Sequence, residues 1–271
     1  MSGPSIAELR RVAQPEHVRN RAAAEHWVAH AYLRQISPYL TRPLLSLGLS
    51  ANQVTWLMIA SAALAAVATS WAGLAGAVLA AVLVQLQMLF DCSDGEVARW
   101  RGTSSPVGVY LDRVGHYIAE CGIALALGIR VAVGGGYAPA MADDGWRSAL
   151  AEPALFLGAL LALLVALNKV ENDLVHVSRG QAGMPAMKDA EQVRVPTAGA
   201  VRTLRRAAKL VPFHRVFHSV ELSLLILVAA LADLVLGDHA ATNVLLPALL
   251  VAALITVVGH LAAVLSSARL R

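Results

Sequence analysis

Six predominantly apolar stretches of roughly twenty residues run through this sequence, and they decide what solvent the chain can fold in. They are approximately Val54 to Trp71, Leu74 to Phe90, Val109 to Val133, Leu150 to Leu167, Val220 to Leu236 and Val244 to Leu265. A helix needs about 20 residues to cross some 30 Å of hydrocarbon, and the Ala, Leu and Val content of these runs favours helix over strand. Composition agrees: 57% of the 271 residues are hydrophobic, only 15% are charged, and the mean hydropathy is +0.60. The fold class expected is all-α, a polytopic membrane protein with six transmembrane helices.

Charge sets the expected orientation, because Lys and Arg near span ends stay on the cytoplasmic side. Arg10, Arg11, Arg19, Arg21, Arg34 and Arg42 precede the first run, Arg99 and Arg101 follow the second, and a basic stretch covers Arg179 to Arg215. With six crossings these segments, and Arg269 and Arg271, fall on one side. Both termini are expected in the cytoplasm of a cell whose inner membrane holds the protein. The pI of about 9.4 thus reads as membrane topology, not as nucleic-acid binding. Arg202, Arg205, Arg206 and Lys209 fit that topology, or steering of an anionic lipid or acceptor. Cys92 and Cys121 are expected as free thiols. No cleavable signal pattern is visible, so the first span is expected to act as the insertion signal.

Two regions are expected. Residues 1–50 form a cytoplasmic segment in which Ile6 to Tyr39 mixes Arg, Glu and His with Leu, Val and Trp27, as an amphipathic interfacial helix would. Residues 51–271 form the six-helix membrane domain. Asn52 and Thr55 sit where a helix begins and read as helix initiation.

The polarity hardest to explain by topology starts at the end of the second span. It reads Asp91-Cys92-Ser93-Asp94-Gly95-Glu96-Val97-Ala98-Arg99, then Gly108, Asp112 and His116. Ionisable groups at membrane depth are costly and persist where they pair, bind ions or line a wet cavity. Asp91 and Asp94 are three apart, and Gly108, Asp112 and His116 step by fours, so two antiparallel helices would converge three carboxylates and an imidazole. Crowded carboxylates need a cation, and hard oxygen donors suit Mg²⁺ or Mn²⁺. A diphosphate substrate follows, with Gly95, Ala98 and Gly108 allowing close approach to the backbone and Arg99 offering a planar cation. The competing reading is that the glycines merely pack helices and the acids pair with Arg99, Arg101 and Arg113.

The pattern D-x2-D-G-x2-A-R-x8-G-x3-D-x3-H resembles the signature of the CDP-alcohol phosphotransferase (CDP-alcohol phosphatidyltransferase) family, which ends in a fourth Asp where this chain has His116. The stretch Ala51-Asn52-Gln53-Val54-Thr55 and the six-span layout are similar to the family as well. The resemblance implies a homodimeric enzyme of phospholipid biosynthesis that uses Mg²⁺ or Mn²⁺ and releases CMP. It implies metal ligation by Asp91, Asp94 and Asp112, with His116 a further candidate, and a CDP or CMP moiety held by Asp94, Gly95, Ala98, Arg99 and Gly108. A neutral imidazole, with an ordinary pKa near ~6.5, suits general-base work, so His116 is expected as the base and Glu120, one turn further, as the group that orients it.

The leading expectation is transfer of a phosphatidyl group from CDP-diacylglycerol to a polar acceptor such as a polyol or polyol phosphate. The alternatives are transfer from a soluble CDP-alcohol to a lipid hydroxyl, an ion-coupled transporter, and a catalytically dead binding partner. Asn168, Lys169, Glu171, Asn172, Asp173 and His176 read equally as an acceptor pocket or as a wet span end with Lys169 and Asp173 paired. His214 and His218 read as interfacial anchors without a convincing carboxylate partner.

Overall fold

The computed structural model describes residues 4–19, 28–137, 153–185, 213–266 and 270. Every regular element among the described residues is helical: α1 (Ile6–Ala13), α2 (Glu16–Arg19), a π turn (Ala29–Leu33), α3 (Arg34–Ser46), α4 (Ala51–Thr69), α5 (Leu74–Arg101), α6 (Pro106–Val133), α7 (Pro153–Gln181), a 3-10 turn (Phe213–Phe217), α8 (Ser219–Leu236) and α9 (Ala240–Leu265). Helices α4 to α9 are each long and apolar enough to span a bilayer, which bears out the all-α polytopic reading.

Two expected spans stop short of the helices that contain them. Helix α5 continues past Phe90 to Arg101, and α7 continues past Leu167 to Gln181. Backbone i→i−4 bonding does not require apolar side chains, so each helix runs on through the polar residues that ended the hydropathy signal. The amphipathic segment differs more. Instead of one helix over Ile6 to Tyr39 there are several pieces. Ser5 caps α1 by accepting from the Glu8 amide at 3.2 Å. At the other end Gln14 leaves helical geometry and Pro15 has no N–H to continue the ladder.

The chain divides into two compact units, 1–64 with 82–119, and 65–81 with 120–271. In the first, Leu44 of α3, Val54 of α4 and Val97 of α5 form a buried cluster, flanked by Leu40, Leu45, Leu49, Ala51 and Phe90. The Tyr32 hydroxyl donates to Gln85 Oε1 on α5. The turn between α5 and α6 follows from local sequence. Gly102 takes φ +64°, and Thr103 N–H reaches back to the Ala98 carbonyl at 2.9 Å, closing α5 in the manner of a Schellman cap. Ser105 then caps α6 by accepting from the Gly108 amide at 3.2 Å, with Pro106 at the first helical position.

In the second unit α9 packs against α7 and α8. The backbones of α6 and α7 nearly touch at Gly128 and Gly158, where a Cβ on either would lie 2.7 Å from the other's Cα. Arg130, 1% exposed, donates to the carbonyls of Trp71 and, at 2.7 Å, Gly73. Asp233 accepts from the Ala241 amide at 2.7 Å and from the Thr242 hydroxyl, tying the end of α8 to the start of α9. Val228, Leu234, Val244, Ile255 and Val258 stay exposed, which suits lipid as solvent.

Candidate active site

The site is built on the α5–α6 hairpin. Asp91 lies roughly ten residues before the end of α5 and His116 roughly ten after the start of α6, so at 1.5 Å per residue both sit about 15 Å from the turn. The antiparallel pair therefore meets there. His116 Nε2 is 3.2 Å from Asp91 Oδ1 and 3.5 Å from Asp112 Oδ1. The three side chains are 18%, 23% and 39% exposed, which leaves them reachable. One ligand atom from each of Asp91, Asp112 and His116 lies within 4.8 Å of the others.

Around the helix, α5 shows two faces. Asp91, Asp94, Gly95, Ala98 and Arg99 are half-buried, whereas Cys92, Ser93, Glu96 and Val97 are buried. That 3.6-residue alternation puts the signature residues on one accessible stripe. Asp94 Oδ2 accepts from the Thr55 hydroxyl at 2.7 Å, and Thr55 also donates to the Ala51 carbonyl at 3.1 Å. Thr55, 2% exposed, thus does more than start a helix: it brings α4 to the site. Asn52 joins it, since a Cβ on Gly108 would lie 3.4 Å from Asn52 Oδ1. The reading of Asn52 and Thr55 as helix initiation missed this. The residues were in view, but their contact with α5 and α6 carries no sequence signal.

Gly95 makes room for a side chain of its own helix. A Cβ there would stand 3.0 Å from Arg99 Nη1 and 3.2 Å from Nη2. Arg99 Nε donates to the Ala13 carbonyl at 2.5 Å. Ala98 lies on the same half-open stripe.

Glu120 is 4% exposed on its side chain, and its Oε1 lies 2.8 Å from Lys169 Nζ and 3.6 Å from His218 Nδ1. The structure thus gives Glu120 a counter-ion from α7. It also gives His218 the carboxylate neighbour expected to be missing. Asn168 and Glu171 meet His260 of α9, with Nδ1 at 3.1 Å from Asn168 Oδ1 and 3.6 Å from Glu171 Oε2. His260 was not singled out, because a lone histidine in an apolar run gives no hint of its partner. Arg202, Arg205, Arg206 and Lys209 lie outside the described residues, as does the His214 side chain.

Such a donor set fits a hard divalent cation. Two carboxylates held this close repel unless a cation intervenes, and their oxygens suit Mg²⁺ or Mn²⁺, while the imidazole nitrogen beside them is a softer donor. The model of the CDP-alcohol phosphatidyltransferase family matches residues 49–176. Residues 49–176 are a domain of this family. The matched region opens just before α4, contains the whole hairpin and ends within α7. Comparison with curated proteins returned no match. A CDP-alcohol phosphatidyltransferase domain on helices long and apolar enough to span a bilayer supports a membrane phosphotransferase. The family is generally metal-dependent, and the Asp91, Asp112 and His116 group is where this domain offers ligands.

Proposed function

We propose that the protein transfers the phosphatidyl group of CDP-diacylglycerol to a polar hydroxyl acceptor, a polyol or polyol phosphate, and releases CMP. The observation that carries the reading is the convergence of Asp91, Asp112 and His116 inside the family-matched hairpin. In this reading Asp91 and Asp112, joined by Asp94, hold Mg²⁺ or Mn²⁺, which when bound offsets the diphosphate's negative charge. Asp94, Gly95, Ala98, Arg99 and Gly108 receive the cytidine diphosphate moiety. Gly95 leaves the space in which the Arg99 guanidinium lies as a planar cation, and Gly108 keeps the facing helix free of a side chain beside Asn52.

The acceptor oxygen attacks the phosphorus distal to cytidine, the bond from that phosphorus to the CMP oxygen breaks, and the hydroxyl proton passes to His116 Nε2. Asp91, at 3.2 Å, is placed to stabilise the imidazolium so formed. A nitrogen that ligates a cation has no lone pair left for a proton, so the base role and the ligand role exclude each other at Nε2. The base role is the one proposed. Glu120 belongs to the proposal as the group that supports the imidazole from the next turn, with Lys169 as its counter-ion. The signature face and both chain ends are taken as cytoplasmic in an inner membrane, and the working unit as a homodimer.

The test is metal-dependent CMP release by the purified protein in lipid, with CDP-diacylglycerol, a panel of polar acceptors and Asp112→Asn as control. Stoichiometric CMP and lipid product, lost in Asp112→Asn, support the reading. Release only with soluble CDP-alcohols and a lipid hydroxyl moves the donor to the aqueous side. Donor binding without any CMP identifies a dead partner, and substrate uptake without donor consumption a transporter.

A further inference from the structure

Resting on that reading for the ligand, we propose that the end of the N-terminal helix α1 supports the nucleotide subsite: Gln14 and Glu96 are positioning residues that hold the Arg99 guanidinium over Gly95. The starting point is Glu96, which follows Gly95 in the signature yet faces away from its accessible stripe. It is 0% exposed. Removing a carboxylate from water is costly unless its oxygens are bonded. Glu96 Oε1 accepts from Gln14 Nε2 at 2.7 Å and from the Ser37 hydroxyl, and Oε2 accepts from the Thr41 hydroxyl at 2.6 Å. All three donors are neutral and come from the N-terminal segment, so its docking and the burial of this charge stand or fall together.

Gln14 is the hub. Its amide also donates to the Arg34 carbonyl at 2.7 Å, and the preceding residue, Ala13, receives Arg99 Nε at 2.5 Å. Arg99 thus meets the carbonyl end of α1, the negative pole of a helix. With Nε fixed there, the guanidinium plane is set, and it lies in the space that a Gly95 side chain would fill. One face of α5 therefore controls the other: Glu96 and Gln14 on the buried side fix α1, and α1 fixes Arg99 on the open side. Gln14, Ser37 and Thr41 lie outside the family-matched residues 49–176, so the support comes from this chain's own N-terminal segment. Losing a pre-set cation weakens ligand capture more than it slows a chemical step performed elsewhere in the site.

The experiment uses the full chain in lipid nanodiscs with Mg²⁺, measuring CMP affinity by calorimetry beside steady-state CMP release. Gln14→Leu is expected to weaken CMP binding and raise the donor KM by about tenfold, with kcat changed less than about twofold. In an Arg99→Lys background the same substitution is expected to add nothing, the non-additivity of residues acting as a unit. Ser37→Ala, which removes one donor and keeps the segment docked, is expected to show a smaller shift of the same kind if Gln14→Leu does not fold. CMP affinity unchanged in folded Gln14→Leu or in Ser37→Ala, or a fall in kcat with KM constant, overturns the inference while the transferase reading stands. A wild-type protein that binds no cytidine nucleotide overturns both.

Discussion

His116 carries the largest chemical question in a single side chain. Replacing it by Ala removes both the proton acceptor and a neighbour of Asp91 and Asp112, and CMP release is expected to fall by about 10²- to 10⁴-fold, the range for lost general-base catalysis. His116→Asp restores the family pattern, and is expected to recover much of the rate while shifting the metal concentration that gives half-maximal activity. A His116→Ala protein as fast as wild type would remove the residue from the chemistry. Glu120→Gln, assayed alongside, reads whether the next turn matters: its proposed support predicts a slower rate at unchanged metal requirement. Chelation by EDTA is expected to abolish release in all variants, with recovery on adding Mn²⁺ or Mg²⁺. Lys169 has a different part. Lys169→Met removes the cation 2.8 Å from nearly buried Glu120 and is expected to cost about 3 kcal/mol of stability, read as a lower thermal midpoint in detergent. The Glu120→Gln/Lys169→Met double variant should regain part of it.

At the scale of elements, glycines separate tolerant from intolerant helix contacts. A Cβ on Gly115 would meet the end of the buried Met58 side chain and, at 3.1 Å, Ile59 Cγ1, side-chain atoms that can repack without moving backbone. At Gly158 it would meet Gly128 backbone atoms at 2.7 and 3.0 Å, which cannot move without parting α6 from α7. Gly115→Ala is therefore expected to cost less than about 1 kcal/mol, and Gly158→Ala about 1–3 kcal/mol, by thermal unfolding in detergent. Equal effects would contradict this account. The hairpin that carries the signature was legible in sequence because two strong signals coincide in it: apolar runs that demand helices, and acids whose 3- and 4-residue spacing shares a face. The breaks in the N-terminal segment were less legible. Its amphipathic pattern spans the whole stretch, and only Pro15 among its residues announces where α1 must stop.

Across the whole molecule, the six crossings and the solvent they need were readable from hydropathy alone, and each of helices α4 to α9 coincides with one of those runs, α5 and α7 continuing past theirs. What could not be read was long-range pairing. Glu120 with Lys169, His260 with Asn168, and Glu96 with Gln14 join helices far apart in sequence, and no local period records which polar side chain another helix will present. Orientation is the property of the whole chain that remains to be measured. Single cysteines introduced at Thr103 and at Gly135, in a Cys92→Ala/Cys121→Ala background, are expected to label with an impermeant maleimide from opposite sides of sealed vesicles, Thr103 from the cytoplasmic side. Labelling of both from one side would refute the topology.

The alternation along α5 also bears on how such a protein can change. Its half-open positions, Asp91, Asp94, Gly95, Ala98 and Arg99, are interleaved with the buried Cys92, Ser93, Glu96 and Val97. A library varied at Asp91, Gly95 and Ala98 of the first set would explore what is bound and how fast it reacts, whereas Asp94 and Arg99 also tie α4 and α1 to this helix. One varied at the second would explore whether the chain assembles at all. Selectivity and foldability thus lie mostly on opposite sides of one helix, joined through Glu96 and Arg99, so a directed-evolution campaign can alter the first most freely at Asp91, Gly95 and Ala98.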